Sequence, residues 1–208
     1  MSSYFEAGQE CGADGDRTLS GVKIIDFETL KQAISTLHEQ HQIPHIIITS
    51  ISLPSPGAAP SLSIVGSTIT SNAKPRIFGI KIPTINCYFS GTGDMFAALM
   101  LVRLREAVSN IEGLMSTPSW VSDDDVEATD LPLARALEKV LASMHGILAR
   151  TKEKRDEEME KFNSRVKGFE EESEKRLKLA QSKAAEVRLV RNEQYLKHPQ
   201  VKFRAENV

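Results

Sequence analysis

The sequence predicts an α/β fold in which helices cover a β-sheet. Three observations support this prediction: an amphipathic helix pattern over residues 27–41, a continuous β-branched run at 44–50, and two strand patterns followed by two helix patterns. The order helix, buried strand, strand, strand, helix, helix is typical of a layered α/β arrangement. With 208 residues, 40% hydrophobic and 26% charged, the chain has the length and composition of an ordinary globular protein.

Charge and cysteine content argue against several classes of protein. A formal net charge of −2 disfavours a globally basic nucleic-acid-binding protein. Two cysteines, Cys11 and Cys87, are too few for a disulfide framework or a four-cysteine zinc site. The sequence contains neither an apolar run long enough to span a membrane nor a secretory signal pattern. We therefore expect a cytoplasmic protein that binds neither nucleic acid nor membrane.

The first half of the chain contains one predicted helix and three predicted strands. Asp26 is the expected N-cap of the helix at 27–41. The run at 44–50 predicts a strand that is covered on both faces, which is typical of a parallel sheet with helices on each side. Segments 61–67 and 76–82 are the two further strands, and in the second the apolar residues Phe78, Ile80 and Ile82 fall at period two.

The second half of the chain is predicted to be mainly helical. Helices are expected at 94–108 and 131–150, separated by a polar loop at 116–130. Beyond residue 150 the chain is dominated by charged residues of both signs, with a narrow apolar stripe. This pattern predicts a long solvated helix over 151–185.

The segment that indicates chemistry is Gly91-Thr92-Gly93-Asp94, followed at once by an apolar helix. Gly91 and Gly93 permit positive-φ turns and close approach of the backbone to a ligand. The unpaired amides at a helix start favour an anion such as a phosphate group. The Asp94 carboxylate could accept a proton from an attacking hydroxyl. The alternative is that Asp94 is an ordinary N-cap and the glycines form an ordinary turn.

Four ordered segments resemble a known family. Residues 89–98 resemble the signature of pyridoxal kinases, within the ribokinase-like superfamily. Phe5-Glu6-Ala7 with 19–21, the stretch 48–56, and 186–190 resemble three other segments of that family in the same order. The resemblance covers residue 5 to about residue 145 and then 185–208. It implies a ribokinase-like sheet flanked by helices.

The resemblance also implies an activity and a catalytic site. The family transfers the γ-phosphate of ATP to the 5′-hydroxyl of pyridoxal, so pyridoxal, pyridoxine or pyridoxamine would be the substrate. Asp94 would be the general base, and Gly93 and Asp94 would contact this substrate. Gly91, Thr92 and Gly93 would supply the amides that hold the transferring phosphoryl group.

Further nucleotide and metal contacts follow from the same resemblance. Thr49 and Ser50 would contact the ATP phosphates and a nearby cation, and Glu6 would belong to the phosphate–metal network, so Glu6 and Thr49 are the candidate metal ligands. The segment Ile85-Asn86-Cys87 would lie against the nucleotide, although the family usually has aspartate at the position of Asn86. The expected cofactors are ATP with Mg²⁺ or another divalent cation, and a monovalent cation. A homodimer is the expected assembly. Without the resemblance, the alternative for Thr49 is a strand-end hydroxyl bonded to its own backbone.

The sequence also departs from the family pattern. The N-terminal half of pyridoxal kinases has no counterpart here, and residues 8–18 interrupt one motif. We therefore expect a partial ribokinase-like domain with the ATP site at 1–150, an inserted charged helix at 151–185, and a strand at 186–208 that returns to the domain. Two hypotheses follow: a pyridoxal kinase, or a truncated, non-catalytic kinase remnant that binds a partner through its charged helix.

Overall fold

The computed structural model describes residues 20–51, 61–165, 179, 183–184 and 186–208. The predictions for Glu6, Cys11 and the motif residues 5–7 and 53–56 lie outside these ranges. Within them, four strands form one sheet of order β1-β2-β3-β4, and neighbouring strands pair antiparallel. The strands are β1 His45–Ile51, β2 Ser61–Ile69, β3 Pro75–Pro83 and β4 Glu206–Asn207.

Helices cover the sheet and extend beyond it. The α-helices are α1 Phe27–His41, α2 Thr92–Ser109, α3 Pro132–Arg165 and α4 Glu193–Lys197. Short 3₁₀ turns occupy Leu114–Ser116, Pro118–Trp120, Ala128–Asp130 and Val190–Asn192. The first three of these turns lie in or beside the stretch predicted to be a polar loop. The predicted α/β fold is confirmed.

Helix α1 begins at a reciprocal cap. The Asp26 carboxylate accepts a hydrogen bond from the Thr29 amide at 2.8 Å, and the Thr29 hydroxyl accepts one from the Asp26 amide at 3.0 Å. Both bonds satisfy amides that the helix itself leaves unpaired. The bonds from Thr29 hold the pKa of the Asp26 carboxyl below its usual range. The N-cap predicted from the sequence is therefore confirmed.

The sheet lies between two helical layers. Ile46 and Ile48 pack with apolar residues of α1 on one face. Ile47 packs with Phe78, Ile80 and residues of α2 and α3 on the other face. Consecutive residues of a strand point to opposite faces, so a run of isoleucines fills both interiors. Burial on both faces is what the β-branched run predicted.

The predicted parallel direction of the sheet is wrong. Strand β1 runs antiparallel to β2, with His45 opposite Thr68 and Ile48 opposite Val65. The prediction rested on burial of both strand faces. That burial results from α1 on one side and α2 with α3 on the other, and it does not depend on the direction of the neighbouring strand.

Helix α3 is continuous from Pro132 to Arg165, so the expected boundary at residue 150 falls within one helix. Thr151 is fully buried. In the charged part, the Glu158 carboxylate pairs with the Arg188 guanidinium at 2.6 Å. The charged stretch as far as Arg165 therefore extends a helix of the α/β body, and the division of the chain into domains stays a prediction.

The C-terminal segment returns to the body along α3. Gly146 of α3 leaves room for the ring of Tyr195, whose carbonyl accepts a hydrogen bond from the Ser143 hydroxyl at 2.8 Å. Glu186, in the segment predicted to enter a strand, makes one parallel bridge with Ser90. The strand that rejoins the sheet is β4, at the very end of the chain.

Candidate functional site

The start of α2 has the geometry of an anion site. Gly91 adopts φ 80° and ψ 12°, a left-handed conformation that favours glycine, and no side chain caps the helix. The first amides of a helix have no partner within it, so those of Thr92 and Gly93 are directed along the axis. Gly93 lies inside α2 and does not have a positive φ, so the expectation of a positive-φ turn holds for Gly91 and is wrong for Gly93.

Asp94 is the third residue of α2, and its side chain is exposed. The N-cap of this helix is Gly91, so the alternative in which Asp94 is the N-cap is wrong. The Asp94 carboxylate makes no hydrogen bond or ion pair with any residue in the described ranges. A carboxylate without a protein partner at this position is available to accept a proton from a bound hydroxyl.

A cavity of about 250 Å³ lies beside this helix start. Its volume is near the lower end of the range of small-molecule pockets, about 300–1,000 Å³. Four of the predicted site residues line it: Thr49, Ile85, Cys87 and Thr92. Thr49 is distant in sequence from the other three, and the fold places all four around one cavity.

Three parts of the fold form the cavity. Because the strands are antiparallel, the end of β1, the start of β2 and the end of β3 meet at one edge of the sheet. The segment 84–91 then crosses this edge, with a tight turn in which the Cys87 amide donates to the Ile85 carbonyl at 2.7 Å. Helix α3 closes the remaining side. The lining residues other than the four named above are Leu62, Ile64, Ile82, Pro83, Phe89, Phe96, Leu141, Met144, His145 and Leu148.

The Thr49 hydroxyl is buried and has no hydrogen-bond partner among the described residues. The alternative in which this hydroxyl bonds its own backbone is therefore wrong. A buried polar group left unpaired costs about 1–3 kcal/mol, and such groups in native structures are usually paired by water or a ligand. Thr49 is thus a polar contact point within a mostly apolar cavity.

The remaining predicted residues are placed as follows. Gly91, Gly93 and Asp94 flank Thr92 at the helix start but are not among the cavity-lining residues. Asn86 is exposed and does not line the cavity. Ser50 lies in β1, and its side chain, like the whole of Glu6, is outside the description.

Two kinds of feature are absent from the ranges that the structure describes. They contain no group of three or more His, Cys, Asp or Glu side chains that could hold a metal ion. None of their helices combines the length and apolar character that crossing a membrane requires.

The sequence did not predict that α3 forms one wall of the cavity. Leu141, Met144, His145 and Leu148 line the cavity from one face of this helix. Their spacing of three to four residues is the signal that could have identified them as one face. The sequence predicted the helix but not which element that face would meet.

Comparison with known proteins shows what this arrangement is similar to. No family model matches the chain. A pyridoxal kinase of Dictyostelium discoideum is 25% identical over 194 residues, which are 91% of this chain and 50% of that protein. Human pyridoxal kinase is 27% identical over 137 residues, which are 64% of this chain and 36% of that protein. The chain is similar in sequence to these pyridoxal kinases. It spans half or less of the length of these two relatives.

Solved structures of pyridoxal kinases show the same fold. The Leishmania donovani enzyme in complex with ADP and pyridoxamine matches 91% of this chain and 48% of its own, with a TM-score of 0.55 and 17% identity. The Plasmodium falciparum enzyme with AMP-PNP and PL matches with a TM-score of 0.54 and 16% identity. The family resemblance and the ribokinase-like fold predicted from the four motifs are therefore confirmed, for a partial chain.

Proposed function

We propose that this chain binds ATP and transfers its γ-phosphate to the 5′-hydroxyl of pyridoxal, giving pyridoxal 5′-phosphate. The observation that carries the proposal is the cavity. Four residues that the motifs assign to the nucleotide line it, and one of them, Thr92, is also the first residue of α2. Relatives named as pyridoxal kinases and neighbour structures that hold ADP or AMP-PNP support the same assignment.

The cavity and the helix start suit two parts of one nucleotide. Apolar walls, including Ile82, Phe89 and Phe96, fit a planar heteroaromatic base. The uncapped amides of Thr92 and Gly93 fit the negatively charged phosphates. Because Thr92 belongs to both, the base would occupy the apolar part of the cavity, and the phosphates would extend from the polar part, with Thr49, to the start of α2.

Asp94 has the position of a general base in this proposal. Its exposed carboxylate lies within the first turn of α2, beside the amides that would hold the transferring phosphoryl group. It would accept the proton of the 5′-hydroxyl as that oxygen attacks phosphorus, while the amides stabilise the charge on the phosphoryl oxygens. Pyridoxine and pyridoxamine carry the same hydroxyl, so the mechanism serves all three substrates, with Gly93 and Asp94 as their contacts.

A magnesium ion fits the donor groups that are present. Mg²⁺ bound with a nucleotide keeps several waters and phosphate oxygens and takes only one or two oxygens from protein. The unpartnered Thr49 hydroxyl in the cavity is one suitable oxygen. Glu6 as a second ligand stays a prediction, as do the monovalent cation, the homodimer and the cytoplasmic location. When bound, the ion would neutralise charge on the phosphates.

One observation favours the second hypothesis, a non-catalytic partner-binding protein. The Lys, Arg, Glu and Asp side chains in the charged part of α3, as far as residue 161, are largely exposed. In that hypothesis this part of the helix would be the contact surface.

One experiment separates the two hypotheses. The full 208-residue chain is titrated with ATP and Mg²⁺ by calorimetry, and then incubated with ATP and pyridoxal while pyridoxal 5′-phosphate is measured by chromatography. Binding together with transfer at about 1–100 per second, the usual range for kinases, supports the proposal. ATP binding without transfer supports the partner-binding protein. The absence of ATP binding at millimolar concentrations overturns the nucleotide site itself.

A further inference from the structure

Half-buried His145 differs from the two buried histidines, His38 and His45. His38 is bonded through Nδ1 to the Ile43 carbonyl and through Nε2 to the Ser67 hydroxyl. His45 is bonded through Nε2 to the Ser119 carbonyl and through Nδ1 to the Thr68 hydroxyl. Neither ring nitrogen of His145 hydrogen-bonds any residue that the structure describes. His145 is therefore a half-buried imidazole with its donor and acceptor unused.

The ring of His145 is oriented by packing. It lies edge-on to the Phe203 ring, with centroids 5.2 Å apart and an angle of 67° between the planes. Its position in the middle of α3 fixes its backbone. An imidazole held by these contacts and lining the cavity presents its polar atoms in a defined place, so that a ligand need not order it.

His145 is also the cavity residue best suited to read a base. Most lining side chains are aliphatic or aromatic hydrocarbon, and Thr49, Cys87 and Thr92 are the other lining residues with a hydroxyl or thiol. Burial, with the Lys202 ammonium as a smaller contribution, lowers the pKa of His145, which favours the neutral ring at pH 7. A neutral imidazole offers one N–H donor and one acceptor nitrogen, and adenine offers complementary groups on the edge that carries its 6-amino group.

We propose that His145 determines nucleobase preference in this cavity, with its acceptor nitrogen receiving a hydrogen bond from the 6-amino group of adenine. This inference rests on the proposed function, because it requires that the cavity hold a nucleotide base. It assigns to α3 a role that none of the sequence motifs contains: the motif residues contact the nucleotide, and His145 selects the base. His145 is a specificity-determining residue and takes no part in phosphate transfer.

The test compares ATP with purine riboside triphosphate, which lacks only the 6-amino group. Dissociation constants are measured by calorimetry for the full chain and for His145→Phe, which keeps a ring against Phe203 but removes both nitrogens. We expect the parent to prefer ATP by roughly 3- to 10-fold, the effect of one hydrogen bond, and the variant to bind the two nucleotides equally. His145→Gln, which keeps a hydrogen-bonding group, should retain part of the preference.

Controls separate this inference from the proposed function. His41→Phe removes an exposed imidazole at the end of α1 and should leave the preference unchanged. Thermal melting of each variant confirms that it is folded. If the parent binds neither nucleotide, the proposed function fails and the inference fails with it. If the parent prefers ATP and His145→Phe keeps that preference, or if the parent binds both nucleotides equally, only the inference is overturned.

Discussion

One face of the sheet packs against α2 and α3. The polar side chains at its two ends differ, because those at one end are hydrogen-bonded within the protein and one at the other end is not. At the closed end, where β1 begins, His45 donates to the Ser119 carbonyl at 2.8 Å and accepts from the Thr68 hydroxyl at 2.9 Å. At the open end, where β1 finishes, the Thr49 hydroxyl has no partner among the described residues and faces the cavity. Strand β1 thus carries a hydrogen-bonded polar side chain at one end and an unsatisfied one at the other. On the same buried face, His45 therefore stabilises the fold through its hydrogen bonds, and Thr49 is available to bind a ligand.

At the closed end, Arg76 of β3 joins the sheet to the segment 122–126 through hydrogen bonds to backbone carbonyls. Its Nη1 donates to the carbonyls of Asp123 and Val126 at 2.6 and 3.1 Å, and its Nη2 donates to those of Ile69 and Ser122 at 3.0 and 3.1 Å. Nearby, the Asp124 carboxylate accepts from the Ser71 amide at 2.7 Å. Asp123 and Asp124, which lie in the stretch predicted to be a polar loop, are therefore attached to β3 and to the turn before it. No comparable attachment crosses the open end in the described residues.

The largest effect is expected at the open end. In a chain that transfers phosphate, Asp94→Asn should lower kcat by about 10²- to 10⁴-fold, because the general base is lost while the amides of α2 remain. ATP affinity and melting temperature should stay close to the parent values, since the carboxylate has no partner among the described residues. The matched control is Asp125→Asn, an exposed aspartate of the closed end. Activity of Asp94→Asn within threefold of the parent would falsify the assignment of the base.

The next largest effect is expected at the closed end. Arg76→Met keeps the length of the side chain but removes the donors of four backbone carbonyls. The free energy of unfolding should fall by at least about 1.5–3 kcal/mol, the usual contribution of a single hydrogen bond to a charged group. Urea unfolding measures it, with Lys74→Met, an exposed neighbour, as control. ATP affinity of the folded variant should be unchanged, and a loss of affinity equal to that of stability would show that the two ends are not independent.

The same change, threonine to valine, can be made at each end of the sheet face to compare their effects on stability. Thr68→Val should destabilise the chain by about 1–3 kcal/mol, because His45 Nδ1 loses its donor in a buried place. Thr49→Val removes a hydroxyl that is unpaired among the described residues, so stability should stay the same or rise, while affinity for ATP with Mg²⁺ should fall. The measurements are urea unfolding and calorimetry. Equal destabilisation by both substitutions would contradict the division into a closed and an open end.

The smallest effect concerns pH. Burial lowers the pKa of both His38 and His45, and for His45 the nearby His38 and Arg76 add to it. Below the ordinary histidine pKa of about 6.5 the unfolded chain therefore binds more protons than the native state. The free energy of unfolding should fall as pH decreases below about 6.5, by at most about 1.4 kcal/mol per pH unit for each such proton.

Urea unfolding at pH 7.5 and 5.5 tests this expectation. The decrease between the two values should be smaller in His38→Gln, in which one of the two buried imidazoles is absent. Exposed His198→Gln is the matched control and should behave like the parent. Stability that rises on acidification would show that these histidines favour protonation in the native state.

Local features of the fold were predictable from neighbouring residues. Asp26, directly before the amphipathic run at 27–41, was enough to place the start of α1, and the alternation of Phe78, Ile80 and Ile82 placed β3. The direction of β1 was not predictable, because helices on both faces bury this strand whichever way the neighbouring strand runs. Caps and periodicity depend on residues a few positions apart, whereas strand pairing joins residues as far apart in the chain as His45 and Thr68.

The sequence predicted the site residues that belong to motifs, but not those that reach the cavity through packing of a helix. Thr49, Ile85, Cys87 and Thr92 were identified from motifs and line the cavity. His145 was not, because its significance comes from the docking of α3 against β2, β3 and the segment 84–91. The positive φ was expected at both glycines of the motif, but only Gly91 precedes the helix and needs it.

The continuous helix α3 sets the electrostatic reach of its charged end. With a rise of 1.5 Å per residue, Lys161 lies about 20 Å along the axis from Leu148, which lines the cavity. Charges in water are screened over about 8 Å at physiological ionic strength. Dissolved ions therefore screen the electrostatic interaction between the charges at this end of the helix and a charge in the cavity. Salt or a partner that acts on the helix beyond Lys161 leaves the electrostatic potential at the cavity unchanged.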